Sequence, residues 1–162
     1  MNYDKVKKNA PQMLSLTGFT VDEFESLLAA FKCEWEAYSS HYTLKGKVRQ
    51  RISYNRKRSI LPLVSDKLLF VLSCLKNNPL QEYHGATFGM TRPQCNYLIH
   101  LLSDILVKTL KNLGELPERN SQRILYVLQS HESVLLDGTE RPIQRPQAED
   151  RQKSCYSGKK NA

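Results

Sequence analysis

The stretch from Leu80 to Gly114 constrains this chain most. Leu80-Gln-Glu-Tyr-His-Gly-Ala-Thr-Phe88 reads as a short helix and Gly89-Met90 as a sharp turn. Thr91-Arg-Pro-Gln94 reads as a capping box, in which the Thr and Gln side chains satisfy free backbone donors. Pro93 falls in the first turn, where its missing N–H costs no hydrogen bond. Cys95, Leu98, Ile99, Leu102, Ile105, Leu106 and Leu110 then form the apolar face of a long helix. Gly114 lies just past its end, as a C-cap glycine would. Short helix, glycine turn and capped longer helix is the helix-turn-helix layout. Gly85 is small enough to let the two helices cross closely, and Gly89 can adopt positive φ. Met90, Cys95 and Leu98 fall where such a unit needs buried apolar groups. His84 stands where an apolar residue is usual; its plainer reading is a satisfied boundary histidine. The alternative is a helical hairpin in a structural bundle.

A unit of this kind can present the N-terminal part of its second helix to a major groove. The residues there are Thr91, Arg92, Gln94, Asn96, Tyr97 and His100. Arginine suits guanine, and Asn or Gln suits adenine. Thr91 and the helix N-terminus suit a phosphate.

Charge supports the same partner class. The chain has 162 residues, with 24 Lys+Arg against 16 Asp+Glu, a formal net charge of +8. The surplus concentrates in residues 45–58, where Lys45, Lys47, Arg49, Arg51, Arg56, Lys57 and Arg58 occur without an acid. This segment has no helical apolar stripe and closes at Leu61-Pro62. It is either a solvated linker or an arm that tracks phosphates and gains affinity by releasing counterions; the basic density and Tyr54 favour the arm.

Two further helices are expected. Thr20-Val-Asp-Glu23 fits a capping box, followed by the stripe Phe24, Leu27, Leu28, Phe31, Trp35 and Tyr38. Another runs from about Ser65 to Asn77, with Leu68, Leu69, Leu72 and Leu75 inward, until Asn78-Pro79 stops it. The organisation read this way is a helical segment at 1–44, a basic linker or arm at 45–61, the helix-turn-helix at 62–114, a linker at 115–131 and a different segment at 132–162. Arg123-Ile-Leu-Tyr-Val-Leu128 is a short helix or strand. Val134-Leu-Leu136 reads as a strand running into Asp137-Gly138, and Cys155–Lys160 as a later strand-like piece. Locally, Asp137 is a hairpin turn residue or a metal ligand at a strand end.

Some classes are disfavoured. Cys33, Cys74, Cys95 and Cys155 form no CxxC pair, and the histidines fall at no ligand spacing. The cysteines read as reduced thiols, with Cys33, Cys74 and Cys95 on apolar helix faces. The longest apolar run, Leu68 to Leu72, is far short of the ~20 residues that cross a bilayer. The expectation is a cytoplasmic protein without a membrane partner.

The run Leu135-Leu-Asp-Gly-Thr-Glu-Arg-Pro-Ile-Gln-Arg-Pro146, followed by Tyr156-Ser-Gly-Lys-Lys160, resembles the start of the nuclease domain of DDE transposases from bacterial insertion sequences. Leu16–Phe24, the basic arm, Leu68-Leu-Phe70 and Gln81–Gly89 match the same family in order. The resemblance implies an RNase H-like nuclease that holds two divalent metals, Mg among them, with two Asp and one Glu. Those metals would activate the attacking oxygen and stabilise the leaving one. Asp137 matches the first acid; Gln144 and Arg145 lie in the motif without an assigned role.

The family pattern continues beyond Lys160, whereas this sequence gives Asn161-Ala162. The expected fold is therefore mainly α, a helix-turn-helix region followed by a short, incomplete β segment. The chain is expected to be a first reading frame or truncated copy that binds the element's terminal repeats. It would not cleave strands alone, and any metal would require the completed nuclease. Expected partners are double-stranded DNA and either full-length transposase or a second copy. The competing expectations are a helix-turn-helix transcription regulator and a non-functional remnant.

Overall fold

The computed structural model describes residues 1–44, 46–50, 59–117, 120–129 and 147–154. The chain divides into two units, Met1–Pro117 and Glu118–Ala162. Among the described residues the secondary structure is helical, apart from one isolated β-bridge between Tyr42 and Val48.

Among its described residues the first unit holds six helices: α1 (Tyr3–Val6), α2 (Ala10–Thr17), α3 (Val21–His41), α4 (Val64–Asn77), α5 (Gln81–Phe88) and α6 (Arg92–Leu113). Within the expected helical segment at 1–44, α1 and α2 precede the Thr20 cap; both are short and open on polar caps. Asn2 caps α1 and Asn9 caps α2, their side chains accepting from Lys5 N and Gln12 N. Tyr3 then stacks on Phe24 at 4.6 Å, and its backbone N–H donates to Asp66 Oδ1 at 2.8 Å. The α3 capping box forms as expected: Thr20 N donates to Glu23 Oε2 at 2.8 Å, and Glu23 N donates to Thr20 Oγ1 at 3.3 Å.

One core joins the helices on both sides of the basic segment. Met13, Phe24, Phe31, Phe70, Leu102 and Ile105 are all essentially inaccessible within it. α4 is the central element, and every residue from Asp66 to Ser73 is buried. A helix surrounded by others has no solvent face over that span. The expected inward stripe is therefore corrected at its end: Leu75 is 58% exposed, because α4 emerges from the bundle there. Cys33 also departs from the expected apolar placement and is exposed, whereas Cys74 is half-buried and Cys95 buried.

The second unit contains α7 (Ser121–Gln129) and α8 (Glu149–Ser154). Arg123–Leu128 thus lies in a helix rather than a strand. The expected strands around Val134–Leu136 and Cys155–Lys160 lie outside the described residues, as do Asp137, Gln144 and Arg145. α8, within the expected β segment, was not anticipated; a Glu149–Lys153 ion pair at 3.8 Å spans one of its turns.

Candidate functional site

Three features of the α5–α6 junction follow from residue size and capping. Gly89 takes φ 72° at the end of α5, a left-handed conformation open to glycine. A Cβ on Gly85 would stand 2.9 Å from Met90 O and 3.3 Å from Cys95 Cβ, so the close approach of the helices requires glycine. Met90 and Cys95 are buried beneath it. Gln94 Oε1 accepts from Thr91 N at 3.0 Å and Thr91 Oγ1 at 3.1 Å, which fixes the start of α6.

His84 occupies the position where an apolar residue was expected, and it behaves as a core aromatic. It is buried against Phe70 at 4.5 Å and Phe88 at 5.1 Å. Its Nε2 lies 3.1 Å from Phe70 O. A carbonyl can only accept, so Nε2 carries the hydrogen. Burial pushes the imidazole below its ordinary pKa, partly offset by that hydrogen bond. One ring thus supplies both apolar packing and a satisfied donor.

The residues proposed as base readers divide into two groups. Arg92, Asn96 and His100 are exposed and spaced four apart, so they share one face of α6. With Tyr97 and Gln81 they line one open recess. Gln81, the first residue of α5, was not anticipated; Asn96 Nδ2 donates to its Oε1 at 3.1 Å. No local signal announces this pair, because the contact depends on how α5 crosses α6. Gln94 is separated from that recess. Its carbonyl is held by the cap, and it lines a second, largely apolar groove with Leu44, Ser59, Leu61, Lys67, Tyr97 and Leu98. Tyr97 borders both. Thr91 is exposed at the helix start.

The second groove locates the basic segment. Leu44 precedes it and Ser59 to Leu61 follow it, and both ends line this groove with the first two turns of α6. Its described opening residues form a tight turn with the end of α3. Thr43 N donates to Lys47 O at 2.8 Å, Arg49 N donates to His41 O at 2.8 Å, and Gly46 takes φ 70°. Tyr38 stacks on Tyr42 at 5.4 Å and supports this turn from α3. Lys47 is exposed; Arg49 is half-buried and its Nε donates to Tyr42 O at 2.7 Å. Lys45, Arg51, Arg56, Lys57 and Arg58 lie outside the described residues.

Among the described residues, no group of three or more His, Cys, Asp or Glu side chains converges to hold a metal, and no helix is long and apolar enough to cross a membrane. The metal implied by the transposase resemblance would need Asp137 and further acids. No family model, curated protein or solved structure matches the chain.

Proposed function

We propose that the first unit binds double-stranded DNA as the recognition part of an insertion-sequence transposase, with α5 and α6 acting as a helix-turn-helix. The observation that carries this reading is the division of α6. Arg92, Asn96 and His100 are displayed on one face of its first turns, while Cys95, Leu102 and Ile105 anchor the helix in the core. That combination suits a rigid helix offered to a groove.

In this reading Arg92 donates to guanine O6 and N7, and Asn96 pairs with adenine. The Arg92 N–H and the positive dipole end of α6, together with Thr91, take a phosphate. Tyr97 and His100 make flanking contacts. Gln94 acts as the cap that presents the helix rather than as a base reader. Lys47, Arg49 and the further bases of residues 45–58 neutralise phosphates beside the groove. Asp137 begins the nuclease segment and would bind Mg only together with the family's other acids. A second copy or the full-length enzyme would share the DNA, in the cytoplasm.

Competition between duplexes bearing the element's terminal repeats and random duplexes tests this function. Arg92→Ala is expected to cost ~1–3 kcal/mol on the specific duplex and little on the random one. Equal loss on both duplexes would remove Arg92 from base reading. Failure of the unmodified chain to prefer the terminal repeats would remove the proposed specificity.

A further inference from the structure

The hydrogen bond between Asn96 and Gln81 joins the two helices beside the exposed face of α6. Asn96 Nδ2 donates to Gln81 Oε1 at 3.1 Å, and the two residues share their recess with Arg92 and His100. A carboxamide nitrogen carries two hydrogens, and its oxygen can accept two bonds. Gln81 takes one hydrogen, leaving the other hydrogen and Oδ1 of Asn96 available. These are the donor and acceptor that match adenine N7 and N6 in the major groove. Turning the amide over would bring Oδ1 to Gln81 Oε1, so the pair persists in that orientation only if Gln81 also turns its amide and donates from Nε2.

We infer that Gln81 is a positioning residue that holds Asn96 in the orientation for reading adenine, so that base preference at one position of the site depends on a residue in α5. This deepens the DNA-binding reading and rests on it. An exposed asparagine without such a tether samples several rotamers and must be ordered at the moment of binding. The tether supplies that order beforehand.

The test is selection from a randomised duplex library, followed by affinity measurements on the selected site and its single-base variants. The whole chain is used throughout, and helical circular dichroism verifies each variant's fold. The unmodified chain should select a site containing one adenine whose preference disappears in Asn96→Ala. Gln81→Ala should weaken that preference about three- to tenfold, the effect of losing one hydrogen bond. Preference at the other positions and the salt dependence of binding should not change. Gln81→Glu keeps an acceptor for Asn96 Nδ2 while adding a negative charge near the DNA. It should retain the adenine preference and lower affinity for all duplexes at low salt.

Selection of no sequence by the unmodified chain would overturn both the DNA-reading proposal and this inference. A selected site with no adenine dependent on Asn96 would overturn the inference alone. So would an unchanged preference in Gln81→Ala, or a loss spread equally over every base and over random DNA. If Gln81→Ala does not fold, loss of the adenine preference in a folded Gln81→Glu would likewise overturn it.

Discussion

Lys67 places an ammonium inside the first unit with no carboxylate in ion-pair contact among the described residues. Its Nζ donates to Leu61 O and Leu63 O and lies 4.8 Å from the centre of the Trp35 ring. The neighbouring Asp66 carboxylate is instead engaged by Tyr3 N. Burial pushes the lysine down to about 8, and Asp66 opposes that shift. Between about 8 and its ordinary value of 10.5, the folded chain has released a proton that the unfolded chain still holds. Stability from this group therefore rises with pH across that window. In Lys67→Met the rise should be missing, so the stability of wild type relative to the variant should increase from pH 8 to pH 10 in denaturant titrations. Parallel stability–pH curves would contradict this. Tyr3 acts in the opposite sense at higher pH: burial and Glu25 push its phenol up to about 12. The fold then keeps a proton that the unfolded chain loses, and stability falls above pH 10. Neither role was legible in the sequence. Asp66-Lys67 reads locally as an ordinary charged first turn, and only the central position of α4 buries it.

At the scale of elements, α5, the turn and α6 were legible because their determinants are local. Gly89, the Thr91–Gln94 cap, Pro93 and the C-cap Gly114 mark boundaries within a few residues of where they act. Gly85 sharpens this point, since its space is set by Met90 O and Cys95 rather than by its own helix. Gly85→Ala is expected to cost about 1–3 kcal/mol through overpacking. Gly89→Ala meets nothing within 4 Å. It should cost about 1–2 kcal/mol from left-handed strain alone, and Gly89→Asn should cost less because asparagine tolerates that region. Thermal unfolding of the three variants tests the distinction; full stability in Gly85→Ala would contradict the close crossing. What depended on distant packing was harder to read. α1 and α2 are stabilised by Phe24, Asp66 and α4 rather than by a long stripe of their own. Leu75 has the right spacing for burial but sits where α4 leaves the bundle.

At the scale of the whole molecule, the basic segment gains meaning from its ends. Sequence identified residues 45–58 as the concentration of positive charge, but not where they attach. Leu44 and Ser59–Leu61 line one groove with Pro93, Gln94, Tyr97 and Leu98, so both ends of the segment border the start of α6. The second unit carries the motif that resembles the nuclease start, yet the proposed DNA contacts all belong to the first unit. Asp137→Ala is therefore expected to leave DNA affinity unchanged within twofold, and a large loss in gel-shift titrations would contradict that separation. The proposed DNA binding by α6 and the basic segment combines groove contacts with phosphate neutralisation. Its most direct test is the affinity of the intact chain for a duplex as a function of salt. At least three or four neutralised phosphates give a slope of log affinity against log salt of about −3 or steeper. A flat dependence, or no binding at about 50 mM salt where such contacts are strong, would contradict it.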